Sequence, residues 1–480
     1  MSIPIRDEEC PAGRAYGRPH RDTDRDAALP LLAGVDWSAA RDEAVAYLAA
    51  LLRIDTTNPP GRERAAADYL AAILAGEGLE PLVLESEPGR AQVVARLHGT
   101  GEKPPLLLFS HTDVVPVEPE HWSVPPFGGV VKDGYVWGRG ALDMKGIVVM
   151  HLLALLLLKR SGLQLARDVI FAATADEERA GIQGMGWLVD HHPELIRAEY
   201  GLSEFGGYPV FMAGLRLFVC QTGEKGYCTV RLRVRGQPGH GSIPNDENAL
   251  TRLAALLADL TPDRLPVHLS ATMHAFVDAL AQTRPGRDGT LLAAELTSNS
   301  RLAALTRLFG DEPAERLNAM LRNTATPTSL SAGGGGFYNV IPSSAEAVLD
   351  GRFLPGFDGR RFLEELRAVL GSDVELEILY EGRAVEFPVG TPLYAAIRRV
   401  LAHHEPEAPL VPVLMPGATD AKHVARLGTI CYGFAPMRPD AGEPFMRLVH
   451  GHDERIGIES LGWGVRVLAE LVSEFCHASD

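Results

Sequence analysis

The sequence predicts an α/β protein with a mostly parallel sheet and a smaller α+β domain inserted into it. In the first part of the chain, short apolar runs that suit buried strands alternate with helical segments. From about residue 223 the strands instead alternate apolar and charged residues, which suits an antiparallel sheet with one solvated face. After residue 382 a helix and an apolar strand return, so the second pattern interrupts the first.

The composition limits the number of domains and the kinds of partner. A chain of 480 residues is too long for one compact core, so about two to three domains are expected. The formal net charge of −16 argues against nucleic acid or an anionic membrane as a partner. Five scattered cysteines without a CxxC motif predict a reducing compartment and no disulfide framework. We therefore expect a cytoplasmic protein whose clustered acids could bind cations.

The first elements begin the larger domain, which we predict over residues 36–222 and 383–480. Residues 1–35 are charged, are interrupted by Gly and Pro, and have no apolar signal-peptide core, so they are predicted to be a mobile tail. Asp36 to Leu52 and about Arg62 to Glu77 have helical spacing of apolar residues. Pro81 to Leu97, which follows, is predicted to be rich in strands.

The next apolar run, Pro105 to Phe109, is predicted to be a buried strand. It leads into His111 and Asp113, so an imidazole and a carboxylate follow the strand at its carboxyl end, where open α/β sheets bind ligands. A third polar side chain, Asp143, precedes the most apolar stretch, Ile147 to Leu158. This stretch is predicted to be a buried helix, because it is shorter than the roughly 20 residues that span a membrane.

Two further strands of the larger domain also end in acids. Asp168 to Thr174 is followed by Glu177 and Glu178, and Tyr200 to Ser203 is followed by Glu204. Adjacent carboxylates at a strand end repel each other unless a cation neutralises them or one holds a proton. The alternative interpretation of the glutamate pair is a solvated acidic turn.

The inserted domain is predicted over residues 223–382. It reads as strand, helix, two strands, helix and strand, which is the pattern of a ferredoxin-like α+β domain. The predicted segments are Tyr227–Arg235, Asn248–Leu260, strands around Ser329–Ser331 and Ala345–Phe353, Arg360–Leu370 and Val374–Tyr380. Pro392 to His404 and Gly428 to Phe434 then return to the larger domain as a helix and a strand.

Five side chains could bind two divalent ions that share one carboxylate. Two imidazoles combined with carboxylates suit zinc, whereas oxygen ligands alone would suit magnesium or calcium. Two such ions can activate a water molecule and polarise a carbonyl group. The five candidate ligands are His111, Asp143, Glu178, Glu204 and His450.

Nine motifs occur in the order seen in one enzyme family: HTDVVP, GRGALDMKG, TADEE, SEFGG, GHGSIP, NVIP, DGRFLPG, GATDA and HGHDE. The chain resembles the co-catalytic di-zinc metallopeptidases that include aminoacylase, glutamate carboxypeptidase, carboxypeptidase S and succinyl-diaminopimelate desuccinylase. The similarity extends from about residue 38 to about residue 475. It implies a zinc-hydrolase catalytic domain, two Zn²⁺ ions that Co²⁺ or Mn²⁺ could replace, and an inserted lid that commonly forms a homodimer.

The resemblance also implies a role for each metal ligand. His111 and Glu204 would bind one ion, Glu178 and His450 the other, and Asp143 would bridge both. His452, two residues after His450, is an alternative ligand. The family further implies a cis peptide bond after Asp143, which is uncommon away from proline.

The remaining catalytic roles follow from the same resemblance. Asp113 would orient the imidazole of His111, and Glu177 would be the general base. In the lid, His240 would stabilise the oxyanion of a neighbouring active site, while Asn339 and Arg352 would hold the substrate's free carboxylate. For the arginine, the alternative is a solvated surface position.

The resemblance also implies that the loop containing GATDA lines the substrate-binding site. Gly417 and Thr419 would contact the substrate, but Ala418 stands where the family usually has a second glycine, which leaves the width of the pocket open. Residues 265–325 are longer than in the usual lid, and an enlarged lid could replace the contribution of a partner subunit.

The sequence therefore predicts a metal-dependent hydrolase of an amide or peptide bond next to a free carboxylate. Two substrate classes remain open, N-acyl amino acids and the peptides cleaved by a dipeptidase or carboxypeptidase. Glutamate at position 204 resembles the acylase and carboxypeptidase branch, since aminopeptidase-like relatives tend to have aspartate there. A non-catalytic, metal-binding relative is the alternative from another class; it predicts the loss of the base or a ligand, and none is missing.

Overall fold

The computed structural model describes residues 30–478 except 213, 284–293, 295, 297–301, 334–337 and 441. Most of the predicted tail, residues 1–29, lies outside the described residues. The first described element is a short 3-10 helix at Pro30–Leu32.

The described residues form mixed α and β structure in the predicted order. The strands are β1 (Leu82–Glu87), β2 (Arg90–Leu97), β3 (Leu106–His111), β4 (Val130–Lys132), β5 (Tyr135–Trp137), β6 (Val169–Thr174), β7 (Tyr200–Ser203), β8 (Gly206–Met212), β9 (Leu215–Glu224), β10 (Gly226–Arg235), β11 (Gly239–His240), β12 (Thr324–Ala332), β13 (Val340–Ile341), β14 (Ser344–Phe353), β15 (Glu375–Gly382), β16 (Val385–Glu386), β17 (Leu410–Met415), β18 (Ile430–Gly433) and β19 (Arg455–Gly457). The α-helices are α1 (Trp37–Leu52), α2 (Arg64–Gly76), α3 (Lys145–Ser161), α4 (Met185–His191), α5 (Pro193–Ile196), α6 (Ala249–Asp259), α7 (Ala271–Thr283), α8 (Leu302–Phe309), α9 (Asp311–Leu321), α10 (Gly359–Leu370), α11 (Pro392–His404), α12 (Ala421–Val424), α13 (Phe445–Leu448) and α14 (Ile458–Cys476). Further 3-10 helices lie at Pro119–His121, Glu177–Arg179 and Ala425–Leu427.

Local capping explains why several helices begin where the sequence predicts. The carboxylate of Asp36 accepts hydrogen bonds from the backbone N–H groups of Ser38 and Ala39, which caps α1. Asn248 and Asp358 cap α6 and α10 in the same way. Caps of this kind satisfy N–H groups that have no partner within the helix.

The central sheet has a parallel middle and antiparallel flanks. Its main path runs β1-β2-β6-β3-β7-β18-β9-β16, with β8 and β17 also paired to β9. The neighbours β6, β3, β7 and β18 run parallel to one another. On one side β2 pairs antiparallel with β6 and β1 with β2, and on the other side β9 pairs antiparallel with β18. The predicted parallel core is confirmed, whereas β8, β9 and β17 were not predicted from the sequence.

Helices cover both faces of this sheet. Alternate side chains of β3 point to opposite faces, so Leu108 joins the cluster that contains α3, whereas Phe109 packs with Leu188 of α4. Every residue of α3 from Lys145 to Leu158 is buried, as its composition predicts. The helix packs against α1 and α14. Within the described part of the chain, none of the helices combines the length and apolar character needed to cross a membrane.

A second, antiparallel sheet has the predicted ferredoxin-like pattern. Its order is β12-β14-β10-β15, and α6 packs on β10 and β14 while α10 contacts β15. Along β14 buried residues alternate with partly exposed ones, so one face of the sheet forms its own apolar core and the other does not. We refer to this sheet with α6, α10, β11 and β13 as the lid; the boundaries of its domain, 223 and 382, stay predictions.

The long segment between α6 and β12 does not enlarge the sheet of the lid. Helix α7 packs against β17, and its side chains Phe276 and Leu280 belong to the apolar core of the central sheet. Leu317 of α9 belongs to the same core. Part of the inserted sequence therefore covers the larger domain.

Candidate metal centre

Three strand ends bring acidic and imidazole side chains together at one edge of the central sheet. His111 is the last residue of β3, Glu177 and Glu178 follow β6, and Glu204 follows β7. Because β6, β3 and β7 are parallel neighbours, their carboxyl ends meet at the same edge. Asp143 comes to this edge from the loop before α3.

One group of potential ligands surrounds His111. Its Nε2 atom lies 3.2 Å from Oδ1 of Asp143, 3.9 Å from Oε2 of Glu177 and 3.8 Å from Oε2 of Glu204. Ligand atoms of His111, Glu177 and Glu204 all lie within 4.8 Å of one another, as do those of His111, Asp143 and Glu178. Spacings of this size allow one ion to contact several of these atoms.

A second imidazole lies on the other side of Asp143. The Nε2 atom of His450 is 3.2 Å from Oδ2 of Asp143 and 3.2 Å from Oε1 of Glu178. The two carboxylate oxygens of Asp143 therefore face two different imidazoles, which is the arrangement that a shared ligand requires. His452 instead contacts Glu118, at 2.9 Å, so the structure brings His450 and not His452 to the cluster.

The electrostatics of the cluster favour a bound cation. Burial raises the pKa of Glu177 well above its usual range and that of Glu204 to about 7. Hydrogen bonds with Asp143 and Glu178 raise the pKa of His450 to about 10. Burial alone would raise the pKa of Asp143 as well, but its bonds with the two imidazoles lower it. Carboxylates and imidazoles at these distances fit divalent ions of the zinc type.

Asp113 holds both the imidazole and the turn that carries the glutamate pair. Nδ1 of His111 lies 3.0 Å from the backbone oxygen of Asp113 and 3.4 Å from its Oδ1. The backbone N–H groups of Glu177 and Glu178 donate to the Asp113 carboxylate at 3.1 and 3.2 Å. Asn58, to which no role was assigned from the sequence, donates to the same carboxylate at 2.9 Å.

Glu454 is a second residue whose role the sequence analysis missed. Its buried carboxylate accepts hydrogen bonds from the backbone N–H groups of Gly140, Leu142 and Asp143 and from the Arg139 guanidinium. These four bonds fix the loop that carries the central carboxylate. The peptide bond between Asp143 and Met144 is cis, as the family resemblance implies.

The loop in GATDA is held in place by a buried glutamate. The backbone N–H and the hydroxyl of Thr419 both donate to Oε2 of Glu224, at 2.9 and 2.7 Å. The ammonium group of buried Lys422 donates to the backbone oxygen of Thr419 at 2.9 Å. The hydroxyl of Thr419 is thus engaged with the protein, while Gly417 is partly exposed.

The candidate substrate-binding residues of the lid form hydrogen bonds or ion pairs within the lid. His240 and Asn339 are exposed; Nδ1 of His240 lies 2.7 Å from the Ser242 hydroxyl, and the backbone oxygen of Asn339 accepts from Gly241. Arg352 forms a bidentate ion pair with Asp350 on its own strand, at 2.7 and 3.1 Å. Each of these contacts joins two residues of the lid.

Comparisons with known proteins agree with the predicted resemblance. The family model "Peptidase family M20/M25/M40" matches residues 107–474. Aminoacylase-1 of Homo sapiens is 30% identical over 421 residues, which cover 84% of this chain and 88% of that protein. The N-fatty-acyl-amino acid synthase/hydrolase of Xenopus tropicalis is 29% identical over 380 residues, 77% of this chain and 72% of that protein.

The fold also matches a solved structure. The M20 family metallo-carboxypeptidase of Sulfolobus solfataricus aligns with a TM-score of 0.63 at 19% sequence identity, over 90% of this chain and 99% of that chain. At this identity the likeness is one of fold.

Proposed function

The chain belongs to peptidase family M20/M25/M40 and is a metal-dependent hydrolase, and we propose that it cleaves the amide bond of N-acyl amino acids. In this reaction water adds to the amide carbon, the C–N bond breaks, and a carboxylic acid and an amino acid leave. The similarity to aminoacylase-1, which extends over most of both chains, favours this substrate over a dipeptide.

One observation carries the proposal: the two oxygens of Asp143 face His111 and His450 inside a cluster of buried acids. The donor set fits two divalent ions, for which zinc is the proposed metal. His111 and Glu204 would hold one, and Glu178 and His450 the other. Bound there, the ions would activate water and polarise the amide carbonyl.

Glu177 is the proposed general base. It lies in the same cluster, 3.9 Å from the His111 imidazole, and its backbone N–H is held by Asp113. Glu177 would take a proton from the attacking water and deliver it to the leaving amine. Its fixed position supports this role, because proton transfer requires the carboxylate to stay within hydrogen-bond reach of the reacting atoms.

The lid would complete the site around the substrate. We propose that Arg352 and Asn339 bind the free carboxylate of the amino acid, and that His240 stabilises the oxyanion of the tetrahedral intermediate. These three residues form hydrogen bonds or an ion pair within the lid, and we propose that they reach the substrate by closure of the lid or from a partner subunit.

The direct test compares substrates on metal-depleted and metal-reloaded enzyme. Exhaustive chelation should abolish turnover, and zinc or cobalt should restore it with two equivalents bound. N-acyl amino acids and dipeptides with a free amino group are then assayed side by side. Turnover that survives chelation would overturn the metal-dependent mechanism, and preference for the dipeptides would overturn the acylase assignment.

A further inference from the structure

The turn that carries Glu177 is bound by side chains from outside the parallel part of the sheet. We call residues 175–183, which follow β6, the base turn. Asp176, within this turn, has a φ of 71°, a left-handed conformation that is uncommon away from glycine. Its buried carboxylate accepts three hydrogen bonds. The donors are the Arg90 guanidinium at 2.8 Å, the Asn58 amide at 3.1 Å and the backbone N–H of Gln183 at 2.9 Å.

Arg90 lies at the centre of these contacts. It is the first residue of β2 and is 9% exposed. Its Nε atom lies 3.0 Å from Oε2 of Glu63, which is fully buried. Its Nη1 donates to the backbone oxygen of Pro60 at 3.3 Å, and a Cβ atom added to Gly61 would lie 2.3 Å from its Cζ. In the described part of the chain, Glu63 and Asp176 each form one ion pair, and Arg90 is the partner in both. One guanidinium therefore connects β2, the loop before α2 and the base turn.

A second residue of β2, Gln92, binds the same turn. Its amide oxygen accepts from the backbone N–H of Ala175 at 2.8 Å, and its amide nitrogen donates to the backbone oxygen of Gln183 at 2.8 Å. Gln92 is fully buried, and residues two apart on a strand share a face, so it reaches the turn from the same face as Arg90. Since Ala175 and Gln183 are the two ends of the base turn, β2 holds both ends.

The contacts continue from Asp176 to the backbone of the proposed base. The amide of Asn58 donates to Asp176 and also, at 2.9 Å, to Asp113. Asp113 in turn accepts from the backbone N–H groups of Glu177 and Glu178. A shift of the Asp176 carboxylate would therefore move both the residue next to the base and the amide that binds Asp113.

We propose that Arg90 is a positioning residue for catalysis, which sets the place of the Glu177 carboxylate through Asp176. The inference rests on the proposed function, in which Glu177 is the general base. A base works only within hydrogen-bond reach of the proton that it takes, and a displacement of about 1 Å can lower a rate on the order of 10²-fold. Lysine at position 90 would keep the positive charge, but its ammonium group cannot replace a planar guanidinium that contacts several groups at once.

The test measures kcat, KM and metal content of Arg90→Lys with one N-acyl amino acid at saturating zinc. The value of kcat should fall on the order of 10-fold to 10²-fold, because the base is displaced. KM should change by less than about threefold, and two zinc ions should stay bound at saturation. Gln92→Met removes the second attachment of the turn at a similar side-chain volume and should lower kcat in the same way, by a smaller factor.

A double-mutant cycle separates positioning from a general loss of stability. Because Arg90 acts through Glu177, Arg90→Lys should cause little further loss of kcat in a Glu177→Gln enzyme, which has already lost the base. If the two residues acted independently, the two losses would multiply instead.

The matched control is Arg167→Lys. Arg167 is also buried, at 5% exposed, and binds the backbone oxygen of Pro104 at 3.0 Å and the carboxylate of Glu199 at 3.1 Å. It precedes β6, so it lies at the opposite end of the strand that leads into the base turn. The same substitution there should lower the melting temperature as Arg90→Lys does, but should leave kcat unchanged.

Three results would overturn the inference and leave the proposed function standing. They are an unchanged kcat in Arg90→Lys, a rise of KM without a fall of kcat, and equal losses of kcat with and without Glu177. If Arg90→Lys does not fold, the same three criteria are applied to Gln92→Met. If the wild type hydrolyses no N-acyl amino acid, the proposed function fails, and the inference with it.

Discussion

The two halves of the proposed active site differ in how completely one chain assembles them. At the edge of the central sheet, the imidazole of His111 is 1% exposed and lies within 4 Å of four carboxylates. In the lid, His240 and Asn339 are exposed, and the hydrogen bonds described for them are to Ser242 and Gly241. We therefore expect the metal half to be preorganised and the lid half to need a movement or a second subunit.

The cause of this difference is the way in which each sheet is covered. The parallel strands are packed between helices on both faces, and the acidic side chains at their carboxyl ends are largely buried. The lid sheet packs helices against one face, and its two central strands, β10 and β14, alternate buried and partly exposed residues. Side chains on the uncovered face or in its loops meet a substrate only when another surface approaches.

The largest effect is expected at the centre of the metal half. Because Asp143 contacts both imidazoles, Asp143→Ala should lower the affinity of both ions and reduce turnover to that of the metal-free enzyme. Metal analysis after dialysis provides the measurement. Asp68→Ala, which removes an exposed acid from α2, should keep two ions. Two tightly bound ions in Asp143→Ala would contradict the bridging role.

The next effect separates the base from a ligand within the same half. Glu177→Gln keeps its shape and should retain both metals, but kcat should fall on the order of 10²-fold to 10⁴-fold, as for a missing general base. Glu178→Gln should lose one ion. Metal content and kcat measured on both variants distinguish the roles. If Glu177→Gln lost an ion and Glu178→Gln kept both ions but lost activity, the assignments of base and ligand within TADEE would be wrong by one residue.

The two halves also differ in how far the sequence predicted them. The acids that follow β6 and β7 could be located because each strand is a short apolar run whose end is visible in the sequence. Asn58 and Glu454 could not be located in this way, because each acts through hydrogen bonds to distant parts of the chain. The partner of Asn58 is 55 positions away, and the partners of Glu454 are more than 300 positions away. Only the folded chain brings such partners together.

The same distinction applies to the elements of the fold. Strand β9 mixes apolar and polar residues, and β17 contains Pro412, so neither has the pattern of a buried parallel strand. Both became strands because they pair with each other in the sheet. The packing of α7 on β17 could not be predicted either, because an apolar helix face does not indicate which sheet it will cover.

A smaller effect tests whether the lid half needs a partner. His240→Ala should lower kcat by on the order of 10²-fold, the scale of one lost oxyanion donor, and should leave metal content unchanged. Mixing inactive His240→Ala subunits with inactive Glu177→Gln subunits should restore activity if the histidine acts across a dimer. If subunits exchange and activity does not return, the lid of the same chain closes over the site.

The smallest effect tests whether the Arg352 guanidinium serves the substrate or only its ion pair with Asp350. Both side chains are over one third exposed, and such a pair contributes about 0–1 kcal/mol to stability. A guanidinium can bind a carboxylate through two parallel hydrogen bonds, which the ammonium group of lysine cannot reproduce. Arg352→Lys should therefore lower kcat/KM by on the order of tenfold, since hydrogen bonds to charged groups contribute about 1.5–3 kcal/mol.

Two controls decide between these roles. Asp350→Asn removes the ion pair but keeps the guanidinium, so it should lower kcat/KM much less than Arg352→Lys does. Amidation of the substrate carboxylate should impair the wild type about as much as Arg352→Lys and should add little further loss in that variant, because both changes remove the same contact. Efficient hydrolysis of the amidated substrate by the wild type would rule out the role of Arg352 and, with it, the requirement for a free carboxylate.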